Sequence, residues 1–124
     1  MIMIVKPLHT AINVTNLERS EYFYGQILGL SKIERPMSFP GTWYQVGDYQ
    51  IHLIVASQLP ENEPKHEKWG RNPHIAFSVS DLDAVKQHLL HYNLPIQASA
   101  SGRPAIFTKD PDGNVIELSQ ASGD

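Results

Sequence analysis

Three histidines and one glutamate stand at matched positions of an internal repeat in this chain. Residues 9–17 align with residues 74–82, and residues 51–53 align with residues 116–118. Both matches have the same offset of 65 positions (9 to 74, and 52 to 117). The four side chains fall in two matched pairs, His9 with His74 and His52 with Glu117. Imidazole and carboxylate groups are ligands of divalent first-row metals. Because equivalent positions of a duplicated unit meet around a pseudo-twofold axis, the repeat predicts one metal site built from all four.

Strand alternation predicts the face on which each candidate ligand lies. Successive side chains of a strand point to opposite faces of the sheet. In the four short segments that carry the candidates, large apolar residues share one face. The candidate ligand lies on the other face, mostly beside small or polar residues. This pattern is typical of a concave site with room for a small molecule.

Each half of the chain has the pattern of one strand, one helix and three further strands. Asn16 and Asp81 (or Ser80) are placed to cap the two helices, and Gly29 fits the residue after the first. The sequence predicts strands at 8–14, 30–37, 42–46, 49–56, 73–79, 94–98, 103–109 and 114–119, and helices from 17 to 28 and from about 81 to 92. The prediction is an α+β fold, a single domain of residues 1–124 with modules 1–57 and 73–124 joined by a linker at 58–72.

Composition excludes several classes of function. The 124 residues are 41% hydrophobic and 19% charged, which is typical of a folded domain. A net charge of −3 argues against nucleic acid as a partner. No apolar run is long enough to span a membrane, and the apolar start of the chain is too short for a signal peptide. There is no cysteine, so disulfides and thiolate ligands are excluded. We expect a cytoplasmic protein without membrane or nucleic-acid partners.

Three motifs make the chain resemble the vicinal oxygen chelate superfamily. They are His-x-Ala-Ile within residues 8–14, His-Ile-Ala-Phe at 74–77, and Asp-Pro-Asp-Gly-Asn-Val-Ile-Glu-Leu at 110–118. That superfamily includes glyoxalase I, fosfomycin-resistance thiol transferases, methylmalonyl-CoA epimerase, extradiol dioxygenases and metal-free bleomycin-binding proteins. The resemblance implies two tandem βαβββ modules forming a glyoxalase-like half-open barrel. It also implies that the metal chelates two neighbouring oxygens of a small-molecule substrate.

The resemblance maps the ligand positions onto His9, His52, His74 and Glu117, holding one divalent ion per chain (Zn, Ni, Co, Mn or Fe). Glyoxalase I usually has a carboxylate or glutamine where this chain has His52. Thiol transferases and dioxygenases use two histidines and one glutamate, which leaves His52 as an extra ligand or an acid-base group. We expect a homodimer, because a single module leaves sheet edges and a cavity open and the family commonly pairs modules across two chains.

The expected function is a metal-dependent lyase or isomerase. The alternatives are an extradiol-type dioxygenase, a fosfomycin-type thiol transferase, or a protein that sequesters a small molecule without turnover. Glu117 is the expected general base, with His52 as the alternative. Arg103 either clamps an anionic part of the substrate or is a solvated surface residue, and Trp43 is expected to wall the apolar side of the cavity.

Other polar and aromatic residues have simpler interpretations. Trp69 and Arg71 either cover a partner subunit or pack in the core. We interpret three further histidines as solvated and two aspartates as turn formers: His66, His88 and His91, and Asp110 and Asp112.

Overall fold

The computed structural model describes residues 2–58 and 66–122. The chain forms two compact units, residues 1–60 and 61–124, called here the first and second module. The first contains β1 (His9–Val14), α1 (Leu17–Glu21), a π-helical turn (Tyr22–Ile27), β2 (Ser31–Ile33), β3 (Gly41–Val46) and β4 (Tyr49–Val55). The second contains a 3-10 turn (Trp69–Arg71), β5 (His74–Val79), α2 (Leu82–His91), β6 (Gln97–Ala98), β7 (Ala105–Lys109) and β8 (Val115–Gln120).

Each module folds one mixed four-stranded sheet with the same topology. The strand order is β1-β4-β3-β2 in the first module and β5-β8-β7-β6 in the second. The first strand of each module pairs in parallel with the last, and the other pairs are antiparallel. The predicted α+β class and the two βαβββ modules are confirmed.

The core lies on the helix-facing side of each sheet, as the alternation predicted. Ile12 and Val14 of β1 are buried, whereas His9, Ala11 and Asn13 on the other face of the strand are exposed. The buried apolar residues of the first module are Ile12, Val14, Phe23, Tyr24, Ile27, Tyr44, Ile51 and Leu53, and those of the second are Leu89, Ala105, Ile106, Phe107, Val115, Ile116 and Leu118. Burial raises the pKa of Tyr44 to about 12, with a smaller contribution from the nearby charge of Glu21.

Both helices begin at the predicted caps. The Asn16 side chain accepts a hydrogen bond from the Arg19 amide at 3.0 Å, and the Asp81 side chain accepts one from the Ala84 amide at 3.1 Å. These caps satisfy amides that the first helical turn leaves without partners. Gly29, with φ of 77°, follows the first helix in the left-handed conformation that favours glycine.

Several predicted elements differ in form or length, and the strand predicted at 94–98 is only Gln97–Ala98. The helix predicted at 17–28 changes from α to π geometry at Tyr22, and the Leu28 amide donates to the Phe23 carbonyl five residues earlier. The wider turn accompanies burial of two successive aromatic side chains, Phe23 and Tyr24. The strand predicted at 30–37 ends at Ile33, before Pro36, which has no backbone N–H to donate to a sheet.

The second half of the predicted linker has a defined structure. Residues 59–65 lie outside the described residues, but residues 66–72 contain the 3-10 turn of the second module. The Trp69 amide donates to the Gln97 side chain at 2.8 Å, and Lys109 Nζ lies 4.4 Å from the centre of the Trp69 ring. Trp69 is half-buried and contacts its own module without joining the core, and the cover of a partner subunit stays a prediction.

No helix in the described ranges has the length and apolar character needed to cross a bilayer.

The ion pair of Glu21 generates a stability prediction. Glu21 accepts hydrogen bonds from Lys32 Nζ at 2.8 Å and from Thr42 Oγ1 at 2.9 Å. The Lys32 hydrogen bond lowers the pKa of Glu21 from its usual 4.5, against the opposing effect of burial and with help from Thr42. Because the folded-state pKa is lowered, the ionised carboxylate stabilises the fold above pH 4.5 and loses this contribution as the pH falls.

We expect Glu21→Gln to lower the free energy of unfolding by about 0.5–1 kcal/mol at pH 7, a modest value because the pair is partly solvated. Urea unfolding at pH 7 and at pH 3.5 measures the free energy of unfolding of both proteins. The difference between variant and wild type should be smaller at the lower pH. Glu18→Gln, an exposed change on the same helix, is the control. A gap that is the same at both pH values would contradict the role assigned to Glu21.

Candidate functional site

The parallel strand pair of each module brings two candidate ligands together. In the first module Ala11 is the partner of His52, and in the second Ala76 is the partner of Glu117. These two registers are related by the same offset of 65 residues that relates the sequences. The side chain two residues before each alanine, His9 or His74, therefore lies diagonally beside its candidate partner on the same face of the sheet. Small alanine side chains between them leave room for this contact.

In the first module the candidates form a stack of three rings. The His9 and His52 rings lie 4.0 Å apart between centroids with an interplanar angle of 13°. Trp43, the β3 partner of His52, stacks on the same imidazole at 4.0 Å and 5°. His52 is 8% exposed, whereas His9 is exposed. Trp43 thus faces the same side of the sheet as the candidates, as the hairpin register predicted.

A chain of amide hydrogen bonds defines the tautomer of His52. Gln45 Nε2 donates to the Gly47 carbonyl at 2.7 Å, so its Oε1 is free to accept from Gln50 Nε2 at 3.1 Å. Gln50 Oε1 then accepts from His52 Nε2 at 2.8 Å. Burial lowers the pKa of His52, and the neighbouring His9 and Arg35 lower it further. His52 is therefore neutral at pH 7, with its hydrogen on Nε2 and a lone pair on Nδ1.

The ring stack lines a cavity of about 510 Å³ in the first module. Its wall includes His9, Ala11, Trp43, Gln50, His52 and Ile54. Met37 and Phe39 add an apolar side from the loop before β3. In the same loop the Arg35 guanidinium lies 4.4 Å from the centre of the Phe39 ring. Its buried Nε and Nη2 atoms have no hydrogen-bond partner among the described residues. The cavity is thus mainly apolar, with the acidic residue Asp48 in its wall and the positive charge of Arg35 close to one side.

In the second module the candidates form a polar pair. His74 Nε2 lies 3.1 Å from Glu117 Oε1, and His74 Nδ1 lies 2.7 Å from the Asn72 carbonyl oxygen. A carbonyl only accepts, so Nδ1 must carry a hydrogen. In neutral His74, Nε2 would then direct its lone pair at an anionic oxygen. The contact is favourable only with a cation between the two atoms, either a proton or a metal ion.

Glu117 is held as a carboxylate. Burial alone would raise its pKa, but hydrogen bonds from Ser119 Oγ at 2.7 Å and from His74 oppose that effect. The Arg103 guanidinium, 3.6 Å from Glu117 Oε2, adds to them. The pKa of Glu117 is therefore lowered, although the residue is only 6% exposed.

The donor set of the second module fits a divalent metal. A metal ion about 2.1 Å from both a nitrogen and an oxygen separates them by roughly 3.0–3.4 Å, close to the His74–Glu117 distance of 3.1 Å. The Asn72 carbonyl orients His74 in the way that outer groups commonly orient metal ligands.

The rings of the first module need a rearrangement before both could bind the same ion. Imidazole lone pairs lie in the ring plane, so the stacked rings of His9 and His52 direct them nearly parallel to each other. No group of three or more His, Cys, Asp or Glu side chains within residues 2–58 and 66–122 is arranged to hold a metal ion. A site using both rings requires at least one of them to turn.

The remaining predicted residues divide between site and surface. Arg103 precedes β7 rather than beginning it, and its half-exposed side chain reaches Glu117. His88 and His91 are exposed on α2, where they contact Tyr92. Asp110 accepts from the amides of Asp112 and Asn114, which is the turn-forming role predicted for it.

Four residues of the site are absent from the sequence-based prediction. They are Gln50, Asn72, Phe107 and Ser119, which contact His52, His74 or Glu117. Phe107 faces Glu117 across β7 and β8 as Trp43 faces His52 across β3 and β4. The alternation of side chains along β7 and β8 could have predicted that Phe107 lies on the same face as Glu117. The Asn72 contact uses a backbone carbonyl, which no side-chain pattern reveals.

Comparison with known proteins agrees with this architecture. Residues 6–118 match the model of the Glyoxalase/Bleomycin resistance protein/Dioxygenase superfamily. The chain is 34% identical over 119 residues to the uncharacterized protein YaeR of Escherichia coli, covering 89% of this chain and 92% of that protein. It is 29% identical over 120 residues to Glyoxylase I 4 of Arabidopsis thaliana, covering 89% and 67%.

A solved structure shows the same fold over nearly the whole chain. The crystal structure of a glyoxalase family protein from Bacillus anthracis superposes with a TM-score of 0.80 at 25% identity, covering 98% of this chain and 99% of that one. The repeated βαβββ topology, the matched registers of the two strand pairs and the family match over residues 6–118 agree. The chain belongs to the Glyoxalase/Bleomycin resistance protein/Dioxygenase superfamily.

Proposed function

We propose that this protein is a metal-dependent lyase or isomerase that acts on a small molecule with two adjacent oxygens. The metal ligands in this proposal are His9, His74 and Glu117, with His52 as a fourth ligand or an acid-base group. The observation that carries the proposal is the distance of 3.1 Å between His74 Nε2 and Glu117 Oε1, which suits two ligands of one metal ion. Proteins of this superfamily generally use a divalent metal ion.

The bound metal would polarise the two oxygens of the substrate and stabilise negative charge that develops on them. The residues of the chain supply binding and proton transfer. Trp43 and the apolar cavity of the first module suit the carbon skeleton of the substrate. Arg103 suits an anionic group, because its guanidinium lies beside Glu117 and is half exposed.

The two candidates for the general base, Glu117 and His52, differ in how their surroundings set their charge and orientation. The lowered pKa of Glu117 makes it a weak proton acceptor and suits it to a ligand role. His52 is buried, neutral at pH 7 and oriented by Gln50, so it is ready to accept a proton at Nδ1. We therefore favour His52 as the acid-base group and keep Glu117 as the second candidate.

Glyoxylase I 4 of Arabidopsis thaliana is similar to this chain over 120 residues and supports the lyase or isomerase class. The family description also names dioxygenases and bleomycin resistance proteins, which keeps an oxygenase and a non-catalytic binding protein as the alternatives. A homodimer is part of the proposal, and a cytoplasmic location remains an expectation.

Removal of ligands tests the metal site. We expect the His9→Ala, His74→Ala double variant to lose most of the bound metal, because it removes two of the proposed ligands. Glu117→Gln should lower metal affinity, because it removes the only charge in the ligand set. Metal content per chain in protein purified without chelator is the measurement.

The matched control is the His88→Ala, His91→Ala double variant, which also removes two histidines but from the exposed side of α2. Circular dichroism verifies that each variant is folded. Full metal content in a folded His9→Ala, His74→Ala variant would show that the ligand assignment is wrong.

Mixing of variants tests whether the modules pair across two chains. His9 and His74 lie on β1 and β5, each of which is an edge strand of its sheet. If His9 and His52 of one chain meet His74 and Glu117 of the other, a dimer of one His9→Ala chain and one His74→Ala chain has one site lacking both histidines and one intact site. We expect co-expression of the two chains with different tags to restore about one metal ion per mixed dimer.

The single-variant homodimers, in which every site lacks one histidine, are the controls for this experiment. Mixed dimers that bind no more metal than these controls would exclude pairing across chains. A monomer that retains metal in sedimentation at micromolar concentration would exclude it as well.

A cobalt-substituted protein tests the proposed substrate class. Cobalt in a protein site absorbs visible light in a way that depends on its ligands, so a compound that chelates the ion should change the spectrum. We expect compounds with two adjacent oxygens to change it, and isomers with separated oxygens to leave it unchanged. A screen in which no such compound has an effect would refute chelation.

Turnover of the native-metal protein separates the reaction classes. Oxygen consumption with bound iron would favour the dioxygenase, and turnover without oxygen would favour the lyase or isomerase. Tight ligand binding by a metal-free protein without turnover would favour the sequestering protein.

A further inference from the structure

The second module contains a pocket of about 290 Å³ whose walls are unusually rich in positive charge. Three cationic side chains line it: Lys68, Arg71 and Arg103. The other polar walls are Ser99, Ser101 and Gln97, and the aromatic wall is Phe107. Within residues 2–58 and 66–122, no acidic side chain belongs to this lining. Hydroxyl groups and cationic side chains are the usual partners of oxyanions in proteins.

The turn that carries Lys68 and Arg71 is fixed in place by Gln97. Gln97 Oε1 accepts from the Trp69 amide at 2.8 Å, and Gln97 Nε2 donates to the Glu67 carbonyl at 2.8 Å. Both ends of one side-chain amide therefore bind the backbone of the turn. Lys68 and Arg71 flank Trp69 and Gly70 in that turn, so their positions at the pocket follow from the same contacts.

The turn also packs tightly against the wall of the pocket. A Cβ atom added to Gly70 would lie 2.7 Å from the Phe107 ring, which is closer than carbon atoms approach. Only glycine allows this approach. Phe107 in turn contacts the His74 ring edge to face at 5.5 Å between centroids. The pocket is therefore built directly beside the His74–Glu117 pair and does not depend on the first module.

The pocket has positive charges that the described residues leave uncompensated. Arg103 has Glu117 as a neighbour at 3.6 Å, and its Nε donates to Ser101 Oγ at 3.1 Å. Neither Lys68 nor Arg71 forms an ion pair with any residue in 2–58 or 66–122. Two positive charges thus face the pocket without a counter-charge from this part of the chain. A dianion would neutralise both.

We propose that this pocket binds the dianionic phosphate group of a phosphorylated small molecule. A phosphate monoester presents three terminal oxygens, which matches three cationic side chains, whereas a carboxylate presents two. Lys68 and Arg71 lie on one turn and Arg103 lies on the segment before β7, so the cations reach the pocket from two segments of the chain, as is suitable for surrounding a tetrahedral group. The role of this site in substrate binding rests on the proposed function. The phosphate end would anchor a substrate whose adjacent oxygens reach the metal near His74 and Glu117.

Phosphate binding is measured directly by NMR, without turnover. The full chain labelled with nitrogen-15 is titrated with methyl phosphate at pH 8 and constant ionic strength, and the amides of Gly70 and Gly102 report on the pocket. We expect saturable shifts at these amides. Lys68→Ala and Arg71→Ala should each weaken the affinity about tenfold, because each removes a charged contact to the phosphate. Acetate should bind at least about tenfold more weakly than methyl phosphate.

Two control variants each remove one positive charge, a lysine or an arginine, at a position outside the pocket. Lys86→Ala on α2 and Arg19→Ala on α1 change exposed cations outside the pocket and should leave the affinity unchanged. Metal content is measured for every variant, since Lys68→Ala and Arg71→Ala leave the proposed metal ligands intact.

The outcomes separate this inference from the proposed function. Absence of saturable shifts, equal affinities of the Lys68→Ala and Lys86→Ala variants, or equal affinities for acetate and methyl phosphate would overturn the phosphate site. A wild-type protein that binds methyl phosphate in this way but holds no metal would overturn the metal-dependent function and leave the phosphate site standing.

Discussion

The parallel pairing of the first and last strand in each module is the constraint on which the rest of the site depends. This pairing fixes Ala11 beside His52 and Ala76 beside Glu117. A shift of one residue in either register would turn the candidate ligand of one strand toward the core, since side chains alternate between faces. The buried aliphatic residues on the opposite face oppose such a shift, so the hydrophobic core also keeps the candidate ligands aligned.

The two modules have the same backbone topology but differ in the chemistry around their candidate ligands. The first surrounds its candidates with rings and amides, which keep His52 neutral and leave an apolar cavity. The second surrounds its candidates with charges and hydroxyl groups, which keep Glu117 ionised. The same strand positions thus supply a neutral imidazole in one module and an anion in the other.

Sequence predicted the parts of the molecule that depend on periodicity and local chemistry. The repeat, the faces of the strands, the helix caps and the position of Trp43 all follow from residue type and spacing, and the structure has them. The π turn at Tyr22 and the early end of β2 at Ile33 depend on how side chains fill the core, which a one-dimensional pattern does not contain. The Asn72 carbonyl and the Gln97 contacts join residues distant in sequence or use the backbone, so composition carries no trace of them.

The hairpins of the two modules differ in length by one residue. Four residues separate the paired Gln45 and Gln50 in the first, and five separate the equivalent Lys109 and Val115 in the second. Strand β8 nevertheless keeps the offset of 65 residues from β4, because the second module has one residue fewer before β7 (33 from His74 to Phe107) than the first has before β3 (34 from His9 to Trp43). The parallel registers of β1 with β4 and of β5 with β8 do not run through these tips, so the tips are free to change in length, in evolution or by engineering.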